Sequence, residues 1–94
     1  MSNDYFQFKQ FTVYQHHCAM KVGTDAVILG AYAPVSDSKS VLDIGTGTGV
    51  VALMIAQRST AHITGIEIDT SASTQASENI LHSPWSERIS IIHA

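Results

Sequence analysis

Two acids bracket a run of glycines in the middle of the chain. Asp43-Ile-Gly-Thr-Gly-Thr-Gly places Asp43 two residues before Gly45, alternates Gly45, Gly47 and Gly49 with other residues, and is followed 18 residues after Gly49 by Glu67. Glycines so placed let a backbone turn sharply and let a ligand lie against the main chain with no Cβ between. A carboxylate ending the next strand can accept hydrogen bonds from both hydroxyls of an adenosine ribose. The acids also restrict the rest of the ligand. A dinucleotide site wants G-x-G-x-x-G with a diphosphate on the helix N-terminus. Counting from Gly45 puts Val50 at the third glycine's place, and Asp43 would set negative charge beside the phosphates. A Walker-type loop is excluded because no Gly-Lys-Ser/Thr follows. S-adenosyl-L-methionine carries no phosphate, and its sulfonium and amino group are cationic, so an acid ahead of the glycines suits it. Glycines after a strand can serve a tight turn alone, but acid, triplet, helix and second acid together favour the ligand.

The elements that must position these groups follow from periodicity. Phe6 and Phe8 alternate with Gln7 and Lys9, and Phe11 and Val13 with Thr12 and Tyr14, which predicts two short extended segments with a break near Lys9 and Gln10. Thr24 or Asp25 can cap a helix over 25–33 that Pro34 prevents from continuing. Residues 40–44 read as a buried strand running into the glycine loop. The next helix starts near Gly49 and is apolar nearly all round, with Val50, Leu53, Met54 and Gln57 on one face, so it should pack on a sheet. A strand over 63–68, a helix over 70–82 with Ala72, Ala76 and Ile80 on one face, and a strand over 88–93 complete the pattern. Strands alternating with helices predict an α/β fold with a parallel sheet. The expected organisation is an N-terminal extension and first helix over 1–35, then a strand-helix-strand-helix-strand cofactor half over 36–94, together an incomplete domain. Sheets of this kind usually continue on the other side of their first strand.

Size and composition agree with one small domain at most. The chain has 94 residues, 45% hydrophobic and 14% charged, with a formal net charge of −3, too apolar for disorder and without a basic patch for nucleic acid. Lys9, Lys21, Lys39, Arg58 and Arg88 are scattered. A lone cysteine, Cys18, makes no internal disulfide, and no run approaches the roughly 18 apolar residues of a membrane span, so a soluble, cytoplasmic protein is expected.

Longer motifs carry a resemblance. Phe8-Lys-Gln-Phe with Val13, Cys18-Ala-Met-Lys-Val-Gly-Thr-Asp, Leu29-Gly-Ala, Leu42-Asp-Ile-Gly-x-Gly-x-Gly, Glu78-Asn-Ile and Ser83-Pro-Trp-x-Glu-Arg-Ile span nearly the whole chain. With them the chain resembles the N-terminal part of the bacterial tRNA adenine N6-methyltransferases that modify the adenosine beside the anticodon of a valine tRNA. The resemblance implies a Rossmann-like methyltransferase fold and S-adenosyl-L-methionine as cofactor. It also implies that Gly23, Thr24 and Asp25 frame the methionine end, that Asp43, Gly45, Gly47 and Gly49 line the cofactor, and that Glu67 holds its ribose. The family's Asn-Pro-Pro-Tyr segment, which orients the target amino group, is absent from residues 1–94, so the resemblance places no catalytic residue in this chain. The partner would be tRNA, through the complete protein.

Alternatives are a related methyltransferase acting on protein, DNA or a small molecule, a nicotinamide dinucleotide module, and a non-catalytic folding unit. The adjacent His16, His17 and Cys18 invite a metal, but neighbouring side chains diverge and no second ligand pair stands at zinc spacing, so none is expected. Phe6, Phe8 and Phe11 could stack on RNA bases, yet alternating aromatics in a strand are more often core. Trp85 is expected to anchor its loop. The apolar 41–44 edge is expected to let the chain self-associate.

Overall fold

The computed structural model describes residues 5–16, 22–35, 37 and 39–94. The His17–Cys18 pair, residues 19–21 and the Phe6 side chain lie outside the described residues.

The alternating aromatics form an antiparallel hairpin of β1 (Tyr5–Gln7) and β2 (Thr12–Tyr14), with Phe6 opposite Val13. The Phe8 N–H donates to the Phe11 carbonyl at 2.8 Å, closing the turn around Lys9 and Gln10. Phe11 and Val13 are buried in the main core. The Phe8 ring stacks on Phe11 at 4.5 Å, and Trp85 meets Phe11 edge-on at 5.4 Å. Trp85 thus anchors its loop, as the sequence suggests, by clamping the hairpin.

Helix α1 (Thr24–Tyr32) runs one residue ahead of the expected span. Neither Thr24 nor Asp25 caps it; Gly23 is the N-cap, extended and without a side-chain bond, and Asp25 sits in the first turn. At the other end Arg58 donates from Nε to the Gly30 carbonyl at 2.8 Å and from Nη2 to the Ala33 carbonyl. A cation on the last carbonyls of a helix satisfies acceptors that have no intrahelical partner and complements the dipole.

Three parallel strands make the sheet, in the order β3 (Ser40–Ile44), β4 (His62–Glu67), β5 (Ile89–His93). Helices α2 (Val50–Gln57) and α3 (Thr70–Leu81) form the two crossovers. Successive side chains of a strand alternate between faces. One face presents Ile63 and Ile89, both buried in the core with Val50, Leu53, Ile55 and Ile80 from the helices. Ala72, Ala76 and Ile80 form the buried stripe of α3, as the periodicity predicts, while Gln57 of α2 is exposed.

The opposite face changes the reading of β3. It is not a buried strand: Leu42 is 57% and Ile44 76% exposed, because β3 is an edge strand among the described residues and its second face is uncovered. Ile92 of β5 is exposed on that face as well.

Candidate functional site: two carboxylates and a glycine loop

Parallel pairing sets the geometry. Asp43 of β3 lies in register with Gly65 of β4, so the strand leading into the glycine loop runs beside the one ending at Glu67. The loop then folds over the end of β4, with the Gly45 and Thr46 N–H groups both donating to the Ile66 carbonyl at 2.7 and 3.0 Å. Gly45, Gly47 and Gly49 all have positive φ, at 73°, 55° and 84°. Side-chain-bearing residues seldom adopt that backbone.

The three glycines nevertheless serve different ends. A Cβ placed on Gly45 or Gly47 would meet nothing within 4 Å, so these two present bare backbone to open space. One on Gly49 would stand 3.4 Å from Ile80 Cδ1 and 3.7 Å from Ala76 Cβ, so Gly49 brings the loop onto α3. An open backbone cradle at the C-terminal end of a parallel sheet is where α/β folds take nucleotide-like ligands.

Glu67 reaches the loop directly. Its Oε1 accepts from the Gly47 N–H at 2.8 Å, and its Oε2 accepts from the Asp69 N–H at 3.1 Å. Asp69 in turn caps α3, accepting from the Ala72 N–H at 2.8 Å. A carboxylate has about four acceptor positions, so the two bonds orient Glu67 and leave capacity for a pair of hydroxyls. Asp43 Oδ2 accepts from Thr46 Oγ1 at 2.8 Å. Burial, and secondarily the nearby Glu67 charge, push the Asp43 carboxyl above its ordinary range, while the Thr46 hydrogen bond opposes the rise. Two acids beside an open backbone cradle suit a cationic, hydroxyl-bearing ligand and disfavour a phosphate. The donor set therefore fits S-adenosylmethionine better than a dinucleotide.

Asp43, the glycine loop and Glu67 are thus joined into one cluster. Gly23, Thr24 and Asp25 stand apart from its hydrogen bonds: they open α1, and the Gly23 carbonyl accepts the Val27 N–H at 3.2 Å. Just ahead of them, the Val22 N–H donates to Gln15 Oε1 at 2.8 Å, tying the start of α1 to the end of the hairpin.

Residues missed by sequence reasoning support the cluster from beneath. Buried Asn79 of α3 donates to the Thr48 carbonyl of the loop at 2.8 Å and to the Tyr14 carbonyl at 2.8 Å, and accepts from the Tyr14 N–H at 2.9 Å. The visible signal is polar residues set among the alanines of α3, where Ser73, Gln75 and Asn79 are all buried. Thr46 is buried against Gly65, and a glycine inside a strand is a known mark of close approach. A separate cavity of about 620 Å³ lies between the hairpin and α3, lined by Phe8, Phe11, Tyr14, Glu78 and His82 among others, and does not include the glycine loop. Among the described residues no group of three or more His, Cys, Asp or Glu side chains is placed to hold a metal, and no helix is long and apolar enough to cross a membrane.

Parallel strands alternating with helices, with a left-handed glycine loop at the strand ends, define a Rossmann-like α/β unit. A family model described as O-methyltransferase matches residues 3–94, and the chain belongs to that methyltransferase family. Over 92 residues it is 60% identical to the tRNA1(Val) (adenine(37)-N6)-methyltransferase of Bacteroides fragilis, a match covering 98% of this chain and 39% of that protein. The protein of the same name from an Enterobacter species is 53% identical, with 97% and 38% covered. The chain therefore spans about two-fifths of the length of these curated relatives. The resemblance carried by the motifs is borne out. Among solved structures, P. horikoshii TYW2 in complex with MeSAdo superimposes with a TM-score of 0.78 at 18% identity, covering 99% of this chain and 37% of that one. An RNA methyltransferase from Salinibacter ruber, in complex with S-adenosyl-L-homocysteine, gives a TM-score of 0.67 at 21% identity, with 80% and 50% covered. These two likenesses establish the shared α/β fold.

Proposed function

We propose that this chain is the cofactor-binding part of an S-adenosyl-L-methionine-dependent methyltransferase that methylates N6 of an adenine in tRNA, the valine tRNA position named for its relatives. One observation carries the donor side: Asp43, a backbone cradle open at Gly45 and Gly47, and Glu67 are hydrogen-bonded into one site. The acceptor side rests on identities of 53–60% to proteins named for adenine N6 methylation. The family model's own description is O-methyltransferase, so the choice of nitrogen rests on the names of these relatives.

In this reading Glu67 holds the ribose hydroxyls, the Gly45–Gly49 backbone lies along the cofactor, and Asp43 faces its cationic end. Gly23, Thr24 and Asp25 frame the methionine end from the start of α1. The bound cofactor supplies a methyl group on a sulfonium, and the protein's task is to hold that group in line with the acceptor amine and away from water. Both arginines are engaged by backbone: Arg58 on α1, and Arg88 on the Ala61 and Ala56 carbonyls at 2.8 and 2.7 Å. The tRNA backbone is thus held mainly by other parts of the complete protein, which we place in the cytoplasm. Residues 1–35 then serve as an N-terminal extension and 36–94 as the cofactor half.

The test is Glu67→Ala in the full-length protein. Two charge-assisted hydrogen bonds to the ribose contribute about 1.5–3 kcal/mol each, so S-adenosylmethionine affinity should fall at least about tenfold by calorimetry. Unchanged affinity in a folded variant removes Glu67 from the site. Methyl transfer to a valine tRNA transcript, followed by nucleoside analysis, separates N6-methyladenosine from an O-methylated product.

The bare β3 edge and the exposed Leu42, Ile44 and Ile92 should also make residues 1–94 by themselves self-associate. Sedimentation at micromolar concentration should give oligomers, and a single monomeric species would refute this.

A further inference from the structure

Gly65 is a glycine in the middle of a strand, where it weakens the strand unless something needs the space. Here something does. A Cβ on Gly65 would lie 2.8 Å from Thr46 Oγ1, 3.0 Å from Thr46 Cβ and 2.9 Å from Ile91 Cδ1, so the Thr46 side chain occupies the place that a β4 side chain would fill. Gly65 is also the register partner of Asp43 on β3, and Thr46 donates to Asp43 Oδ2 at 2.8 Å from that seat. Thr46 is itself buried.

We propose that Thr46 is a positioning residue for Asp43: seated in the gap left by Gly65, its hydroxyl holds Oδ2 and turns Oδ1 to the cationic end of the cofactor. The inference rests on the reading of this loop as an S-adenosylmethionine site. Without the hydroxyl donor, a half-buried carboxylate facing Glu67 loses the bond that favours its ionised form, and both its aim and its charge suffer. Glu67 on β4 is the titratable group facing Asp43. The loop brings only Thr46 and Thr48, the first turn of α2 only Val50, Val51 and Ala52, and Asp25 of α1 is the remaining carboxylate of the candidate site.

Packing and hydrogen bonding are separated by two substitutions in the full-length protein. Thr46→Val keeps the shape against Gly65 and removes the donor; Thr46→Ser keeps the donor and removes the methyl group. S-adenosylmethionine binding is measured by calorimetry from acid to neutral pH, with a thermal melt of each variant. Binding needs ionised Asp43, so affinity falls as pH drops through its pKa, and loss of the donor moves that acid limb to higher pH. The expected result is a loss of about tenfold at neutral pH and an upward-shifted limb for Thr46→Val, with Thr46→Ser within about twofold of the parent. Gly65→Ala, which displaces Thr46, should lose affinity as Thr46→Val does. If Thr46→Val binds like the parent, or Thr46→Ser loses as much as Thr46→Val, Thr46 is only a packing residue and the proposal fails while the site stands. If the parent itself does not bind S-adenosylmethionine, the reading of the site fails instead.

Discussion

Asn79 ties the N-terminal hairpin to the glycine loop, and removing its amide should loosen both. The side chain is 1% exposed and makes three hydrogen bonds, two to the backbone of Tyr14 and one to the carbonyl of Thr48. The Thr48 bond is fully buried, so Asn79→Ala leaves a carbonyl that water does not reach, at about 1–3 kcal/mol. The Tyr14 pair is partly buried, and each bond adds about 0.5–1.5 kcal/mol, less whatever solvent restores. A total loss of about 2–4 kcal/mol should appear as a lower urea midpoint at unchanged slope. Asn79→Asp sharpens the test, since it keeps the size but sets a carboxylate oxygen against the Tyr14 and Thr48 carbonyls. The carboxylate keeps the Tyr14 N–H on one oxygen but turns the other on two carbonyls in a buried place, so its folded pKa rises above the unfolded value. Its penalty is then largest at neutral pH and shrinks as pH falls through the raised folded value toward the unfolded one, where the protonated carboxyl regains a donor. Urea midpoints for parent, Ala and Asp variants across pH supply the measurement. A loss below about 0.5 kcal/mol for Asn79→Ala, or an Asp variant whose deficit does not change with pH, would refute the clamp.

The contact between α1 and α2 depends on Gly30, where a Cβ would stand 2.7 Å from Met54 Sδ and 2.8 Å from Met54 Cβ. Gly30→Ala should cost about 1–3 kcal/mol in thermal or urea melts, and pairing it with Met54→Ala should recover part of that; strict additivity would deny the clash. Burial and Glu67 raise the folded pKa of Asp43. The folded chain therefore holds that proton more tightly than the unfolded one, and the carboxyl's contribution is most favourable below the unfolded value and declines as pH rises through to the folded value. Asp43→Asn should remove this decline, leaving the variant relatively more stable at neutral pH while S-adenosylmethionine affinity drops about tenfold. Parallel pH–stability curves for parent and variant, or undiminished affinity, would count against that account. Asparagine tolerates left-handed backbone, so Gly47→Asn should keep the loop's turn but fill the cradle, lowering affinity with a small change in melting temperature; normal binding would mean that Gly47 serves the turn alone.

Local chemistry makes the cluster of Asp43, the glycine loop and Glu67 legible in the sequence. Asp43, the alternating glycines and Glu67 lie within 25 consecutive residues, 43–67, and glycine spacing, strand ends and acid placement are local properties of the chain. The same locality placed the three sheet strands and the apolar stripe of α3 to within about a residue or two. The cap of α1 differs from the sequence expectation of Thr24 or Asp25, because backbone geometry rather than side-chain type put Gly23 at that position. Tertiary structure decided what depends on distant residues meeting. Asn79 and Tyr14 are 65 positions apart, Arg58 and Gly30 are 28 apart, and no periodicity announces either contact. The exposure of β3 followed from sheet order and an uncovered face, since an apolar run by itself is the same whether one side or both are covered. Gly65 shows the division most sharply: its sequence position marks only a gap in a strand, and the fold alone sets Thr46 in that gap and Asp43 beside it.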